Sequence, residues 1–150
     1  MKLNPRLLDP GIYRHSIDIT PRFSDVDAQN HLNNARLGEF YQEARVSFYT
    51  YLQRAHGFKR PVGNRSLVAH TSIDYLAELN YPQLVTVKLG VAKVGRTSQT
   101  LAIALFGESR CAGFAKVILV NADADGPAPI SDEWRQILSL YALPPGLLGE

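Results

Sequence analysis

The sequence predicts an α+β fold in which an antiparallel sheet of five or six strands is wrapped around one long central helix. One long helical pattern runs from about residue 34 to residue 54, with one strand-like pattern before it and four after it. A long amphipathic helix must bury its apolar side, and a single sheet must have one face covered. Wrapping the sheet around the helix meets both requirements in one domain, which we expect to span residues 1–150.

The long helix is the most regular of these patterns. Asn33 or Asn34 is suited to cap its N-terminus, because an amide oxygen can accept a hydrogen bond from a free backbone N–H. Gly57 is expected to end it. Apolar residues recur at spacings of three and four, as on one face of an α-helix: Leu37, Phe40, Tyr41, Ala44, Phe48, Tyr51 and Leu52.

The strands are predicted from alternating and apolar runs. A loose alternation covers residues 12–23, which predicts a strand with one buried face. Four further runs cover residues 66–79, 84–94, 97–106 and 110–121. The links at 95–96 and 107–109 contain glycine and are short, as antiparallel hairpins require.

The two ends of the chain lie outside this core pattern. Residues 1–11 contain two prolines and a glycine and are expected to form an arm. Ser131 is placed to cap a second helix over about 131–142, with Asp132 and Glu133 favourable in its first turn. We expect the last residues, 143–150, to fray.

Composition excludes several classes of protein. The hydrophobic fraction of 45% and the charged fraction of 20% are ordinary for a globular protein. A net charge of +2 without a basic run does not indicate nucleic acid. No run approaches the roughly 18 apolar residues of a membrane span, and the N-terminus lacks a signal-peptide pattern. We therefore expect a cytoplasmic protein without nucleic-acid or membrane partners.

The residues best suited to chemistry lie just before the long helix. Asp25, Asp27 and His31 stand within seven positions of one another. If the two aspartates are on a strand, their side chains share a face; if the chain is already turning, they diverge. Both can also serve only to form the turn and cap the helix. A histidine in place of a third carboxylate disfavours a magnesium site, so no metal is expected.

The helix start adds a second functional feature. Its first N–H groups lack partners and carry about half a positive charge from the macrodipole, so they can bind a developing oxyanion. An acyl carbonyl between this terminus and Asp27 would be polarised and attacked together. The motifs of serine hydrolases, phosphate-binding loops and dinucleotide-binding folds do not occur in the sequence.

The segment 23–45, FSDVDAQNHLNNARLGEFYQEAR, resembles the signature of hotdog-fold acyl-CoA thioesterases of the 4-hydroxybenzoyl-CoA thioesterase-like branch. In that family an aromatic-x-Asp-x-Asp segment leads through a short turn into a central helix. The resemblance implies that Asp27 is the catalytic carboxylate, acting as nucleophile or general base. It implies that the backbone N–H of Asn34 polarises the thioester carbonyl, and that Asp25 and His31 have supporting roles.

The resemblance also implies the partners. The segment 95–98 matches a turn that contacts coenzyme A phosphates in the family, so Arg96 and Ser98 are candidate substrate-binding residues, with Lys93 beside them. The expected substrate is an acyl-CoA or an acyl carrier protein thioester, with no cofactor. Family members assemble as homodimers or homotetramers with sites at the interface, and both states remain open here.

Two other functions remain open. Hydratases or dehydratases on the same scaffold also use an aspartate and a histidine a few residues apart. A catalytically silent acyl-binding protein is the second alternative, since a fold does not fix a function. The identity of the acyl group is left open, because Phe40, Tyr41 and Phe48 could line either a core or an acyl tunnel.

Overall fold

The computed structural model of the protein describes residues 2–108 and 110–149. Its regular elements are β1 (His15–Ile19), α1 (Asn34–His56), β2 (Arg65–Tyr75), β3 (Val85–Val94), β4 (Ser98–Phe106), β5 (Cys111–Asp123), β6 (Gly126–Pro127) and α2 (Asp132–Ser139). Three short 3₁₀ turns occupy Pro5–Leu8, Pro10–Ile12 and Phe23–Asp25. The first strand is thus shorter than the predicted 12–23, because the chain has already turned by Phe23.

The strands form one antiparallel sheet in the order β1-β3-β4-β5-β2, with the two-residue β6 paired to the end of β5. The two long hairpins are formed by β3 with β4 and by β4 with β5, as the short links predict. Strand β2 crosses back to pair with β5, so β1 and β2 are the sheet edges.

Helix α1 lies across the concave face of this sheet. Asn33 is its N-cap, and Gly57 ends it with a φ of 65°, a left-handed conformation that glycine adopts without strain. Tyr51 of the predicted apolar stripe is 46% exposed. The other six residues of the stripe are buried in the main core: Leu37, Phe40, Tyr41, Ala44, Phe48 and Leu52. The predicted helix and both of its ends are confirmed within two residues.

The convex face of the sheet carries a second apolar cluster. Strand β4 is buried on both faces, since Leu101, Ile103 and Leu105 face α1 whereas Ala102, Ala104 and Phe106 face outward. The N-terminal arm and the C-terminal tail cover the outward side with these buried residues: Leu7, Tyr13, Leu143 and Leu147. The expectation that the tail frays is therefore wrong for residues 143–149; Glu150 lies outside the described residues.

A long helix enclosed by a curled antiparallel sheet is the hotdog arrangement that the sequence predicts. Ser131 caps α2 through its hydroxyl, which accepts from the Trp134 N–H at 3.1 Å. This helix begins as predicted but ends at Ser139, before the expected residue 142. Of the helices in the described ranges, none has the length and apolar character needed to cross a membrane.

Candidate active site

The turn before α1 is closed by the side chain of Asp27. Its Oδ1 accepts from the backbone N–H of Gln29 at 2.9 Å and of His31 at 3.1 Å. Its backbone N–H donates to the His31 carbonyl at 2.8 Å, and Asn30 adopts a φ of 62° within the turn. No other hydrogen bond to this carboxylate occurs in residues 2–108 and 110–149, so its Oδ2 is available to a ligand.

The start of α1 leaves one donor open. Asn33 accepts from the Ala35 N–H through its side chain at 2.9 Å, and its carbonyl accepts from Arg36 and Leu37 at 2.9 and 3.1 Å. Within the described part of the chain, the N–H of Asn34 has no acceptor. A free N–H at the first helical position carries the partial positive charge of the helix terminus.

A cleft of about 370 Å³ contains both groups. One wall of the cleft is formed by the Asp27 turn and the first turns of α1. The opposite wall is formed by the end of β2 and the loop that follows it. The two walls are joined by a backbone hydrogen bond from Leu32 to Leu79 at 2.8 Å. The cleft is lined by Asp27, Gln29, His31, Leu32, Asn34, Leu37 and residues 75–79.

Asp25 lies on the other side of the turn. It is 3% exposed, and its Oδ2 accepts from the Arg22 N–H at 2.8 Å. Its Oδ1 lies 3.7 Å from Arg22 Nη2 and 3.9 Å from Arg36 Nε, and its carbonyl accepts from the Asn33 N–H. The two aspartates therefore diverge, which is the arrangement expected if the chain turns between them. Asp25 contacts the start of α1 through the Asn33 N–H and the Arg36 side chain.

His31 lies in the cleft beside Glu78, a carboxylate that the sequence patterns do not predict at the site. Its Nε2 is 3.3 Å from Glu78 Oε2. Glu78 interrupts the otherwise apolar run 76–79, and that interruption is the one local signal in the sequence. Its proximity to His31 depends on the bridge between His31 and Asn80, a long-range pairing that local patterns do not reveal.

The proposed phosphate-binding residues lie elsewhere in the same chain. Arg96 and Lys93 are exposed at the hairpin between β3 and β4. The hairpin is braced by α2, since Arg135 Nη2 donates to the Gly95 carbonyl at 3.0 Å. Ser98 begins β4 and pairs with Val120.

The sheet register gives the separation from the cleft. Tyr75, which lines the cleft, pairs with Gly113, and Gly113 pairs with Leu105 at the far end of β4. At about 3.3 Å per residue, the distance along β4 from Ser98 to Leu105 is roughly 23 Å. The structure thus brings Asp27, His31 and Asn34 together within one chain and leaves the Arg96 turn at the opposite end of the sheet.

The described side chains around the cleft are not arranged to hold a metal ion. Within 2–108 and 110–149, no group of three or more His, Cys, Asp or Glu side chains is arranged to hold a metal ion. In the main core, burial raises the pKa of the Tyr41 phenol above its ordinary value.

Comparisons with known proteins identify the family and the fold. The family model of the thioesterase-like superfamily matches residues 21–138. The predicted thioesterase from Bacillus stearothermophilus is 28% identical, with a TM-score of 0.76 over 88% of this chain and 98% of that one. The uncharacterized protein YsmA of Bacillus subtilis is 24% identical, over 80% of this chain and 82% of its own.

A more distant structure shares the fold. The thioesterase complexed with coenzyme A and Zn from Thermus thermophilus is 22% identical, with a TM-score of 0.71 over 84% of this chain and 98% of that one. The family match begins just after β1, ends within α2 and includes the whole Asp27 turn. Because the match covers most of its length, the chain, with its hotdog fold, belongs to the thioesterase-like superfamily.

Proposed function

We propose that the protein hydrolyses acyl-CoA thioesters to a free acid and coenzyme A in the Asp27 cleft. The observation that carries the proposal is that a carboxylate oxygen and a free helix-terminal N–H line one cleft. Family membership supports a thioester substrate. The coenzyme A bound to the Thermus relative supports coenzyme A as its carrier.

The two groups act at opposite ends of the thioester carbonyl. The Asn34 N–H donates to the carbonyl oxygen and stabilises the negative charge that develops there, which for one such donor is worth about 10²–10³ in rate. Asp27 Oδ2 either adds to the carbonyl carbon or removes a proton from a water that adds to it. The C–S bond then breaks, and the acid and the thiol leave.

We further propose that the site is completed by a second copy of the chain. Strand β2 is a long edge strand with exposed apolar side chains: Leu67, Val68 and Tyr75. Such an edge is a template for pairing with another strand. Antiparallel pairing of two β2 strands would place the start of one beside the end of the other.

That pairing would bring the predicted phosphate-binding residues of one copy close to the Asp27 cleft of the other. The Arg96 turn lies at the end of the sheet where β2 begins, and the cleft lies at the end where β2 finishes. Across the joined edge, the cleft of one copy and the Ser98 position of the other would be three strand spacings apart, about 15 Å. Arg96, Ser98 and Lys93 of one copy could then hold the coenzyme A phosphates of a substrate in the other.

The first test removes the charge of Asp27 and keeps its turn. An asparagine can still accept from the Gln29 and His31 N–H groups, so Asp27→Asn should fold normally. We expect thiol release from acyl-CoA to fall about 10²–10⁴-fold, the usual contribution of a positioned acid or base. The matched control is Asp125→Asn, on the exposed turn before β6. Full activity in Asp27→Asn would refute the proposal.

The second test removes the helix-terminal donor itself. Proline is favoured at the first helical position because it has no N–H there to lose. Asn33 has a ψ of 131°, which suits the residue before a proline. Asn34→Pro should therefore keep the helix and lower kcat by about 10²–10³. Asn34→Ala, which retains the N–H, is the control, and equal rates in the two variants would exclude this donor.

Other assays separate the remaining alternatives. Single-turnover hydrolysis in heavy-oxygen water distinguishes the two roles of Asp27. Label on the Asp27 carboxylate with an unlabelled acid product identifies an anhydride intermediate that water opens at the aspartyl carbonyl, and hence a nucleophile, whereas a general base places the label in the acid. Loss of enoyl absorbance without thiol release would instead identify a hydratase. Tight acyl-CoA binding without turnover would identify a binding protein. Parallel assays with acyl carrier protein thioesters decide the carrier.

A further inference from the structure

We propose that His31, positioned by Glu78, is the acid that protonates the departing sulfur; this rests on the thioesterase function proposed above. The His31 Nε2 atom and the Glu78 Oε2 atom are in contact at 3.3 Å, and both residues line the cleft. His31 is about one-quarter exposed, whereas the Glu78 side chain is 73% exposed. The pair is therefore open to substrate and solvent, unlike a buried structural ion pair.

The main chain of His31 is held next to Asp27 by hydrogen bonds. The His31 N–H donates to Asp27 Oδ1, and the His31 carbonyl accepts from the Asp27 N–H. The bridge from His31 to Asn80 ties the same residue to the opposite wall of the cleft. Asp27 and His31 thus belong to one rigid turn, with their side chains on the same cleft.

Glu78 determines which ring nitrogen can serve the substrate. A carboxylate beside Nε2 favours a proton on that nitrogen, which leaves Nδ1 as the nitrogen available to the cleft. In the imidazolium form, Nδ1–H can be given up while Nε2–H remains paired with Glu78. The charged and titratable groups that line this cleft are Asp27, His31, Glu78 and the Tyr75 phenol.

The proton balance of the step is complete without any further reactant. Asp27 takes a proton from water as the water oxygen bonds to the acyl carbon, or forms an acyl-enzyme that water later hydrolyses. As the tetrahedral intermediate collapses, the C–S bond breaks, its electron pair stays on sulfur, and the His31 Nδ1 proton bonds to that sulfur. The proton collected from water returns to His31 through solvent, so the products are one acid and one thiol.

The need for an acid depends on the leaving group, and this gives the test. An alkyl thiol such as coenzyme A resembles cysteine, with a pKa of about 8.5, so protonation assists its departure. The 4-nitrothiophenol ester of the same acyl group releases a thiolate that needs no proton. The rates of His31→Gln and Glu78→Gln on both substrates therefore report the acid role separately from folding or binding.

We expect His31→Gln to lower kcat for the acyl-CoA about 10²-fold and to leave kcat for the aryl thioester within about threefold. Glu78→Gln should show the same selectivity with a smaller loss, and the control Glu133→Gln, exposed on α2, should match wild type on both. Equal losses on the two substrates, or no loss on either, would overturn the acid role. Failure of the wild-type protein to hydrolyse either ester would instead overturn the thioesterase proposal.

Discussion

The contact between Tyr41 and Gly113 offers a quantitative test of how α1 sits on the sheet. The Tyr41 side chain is 3% exposed, and its hydroxyl has no hydrogen-bond partner within the described ranges. The hydroxyl oxygen occupies the space that a Cβ at position 113 would need. Gly113 lies on β5, paired with Tyr75 at the cleft wall, so this contact sets the height of the helix near the proposed site.

The structure gives opposite expectations for alanine in two backgrounds. In the wild-type protein, Gly113→Ala should destabilise by about 1–3 kcal/mol, the usual cost of overpacking a core. If Tyr41→Phe first removes the hydroxyl oxygen, the nearest ring carbon lies 3.6 Å from the new Cβ, an ordinary contact. Alanine should then be neutral or stabilise by about 0.4–1 kcal/mol, because it restricts the unfolded chain more than glycine does.

The assay is urea unfolding of the wild type, both single variants and the double variant. Fluorescence of Trp134, the one tryptophan, reports unfolding, since it is buried and stacks on Phe58 at 4.2 Å. In thermal unfolding of the same variants, a change of 1 kcal/mol in the free energy of unfolding corresponds to a shift of roughly 2–4 °C in Tm for a chain of this length. Equal destabilisation by Gly113→Ala with and without Tyr41→Phe would show that the hydroxyl does not occupy this space.

Three further predictions concern the elements that hold the site. Asn33→Ala removes the side chain that accepts from the Ala35 N–H, so the free energy of unfolding, measured with urea, should fall by about 1 kcal/mol. Activity should fall as well, because the start of α1 loosens. An unchanged free energy of unfolding would contradict the role of Asn33 as the cap. Asp25→Ala should cost about 1–3 kcal/mol because the Arg22 N–H loses its acceptor, whereas Asp25→Asn should recover much of that loss. Burial lowers the pKa of His15 below its ordinary value. The contribution of His15 to the free energy of unfolding is therefore fully present above about pH 6.5, where the histidine of the unfolded chain is neutral, and it is lost as the pH falls further. Unfolding measured from pH 8 to 5 should show this decline, and His15→Gln should reduce its slope; an identical slope in the variant would exclude His15 as the source.

Local patterns were sufficient for most of the fold. The spacing of apolar residues along α1 fixes which face is buried, and Asn33 and Gly57 fix where the helix begins and ends. These features depend on neighbours within one or two helical turns, so the sequence displays them directly. The hairpins of β3, β4 and β5 follow in the same way from short glycine-containing links.

Long-range packing decided the details that patterns left open. The spacing of Asp25 and Asp27 allows their side chains to share one face of the chain or to point to two. The 3₁₀ turn at Phe23–Asp25 is what makes the two side chains diverge. The tail folds back because the outward face of β4 is apolar and needs a cover, and a run such as 101–106 reads as buried without saying what buries it.

The candidate site shows the same division. Asp27, His31 and Asn34 are close in sequence, so a single turn and a helix start are enough to predict that they meet. Glu78 reaches the cleft only because the loop after β2 pairs with the turn before α1, a contact between distant segments that depends on sheet register. The sequence alone thus determined the helix, the strands and the turn that carries Asp27. Tertiary structure alone decided which side chains share the cleft, because that depends on how the curled sheet folds its far strands back onto the helix start.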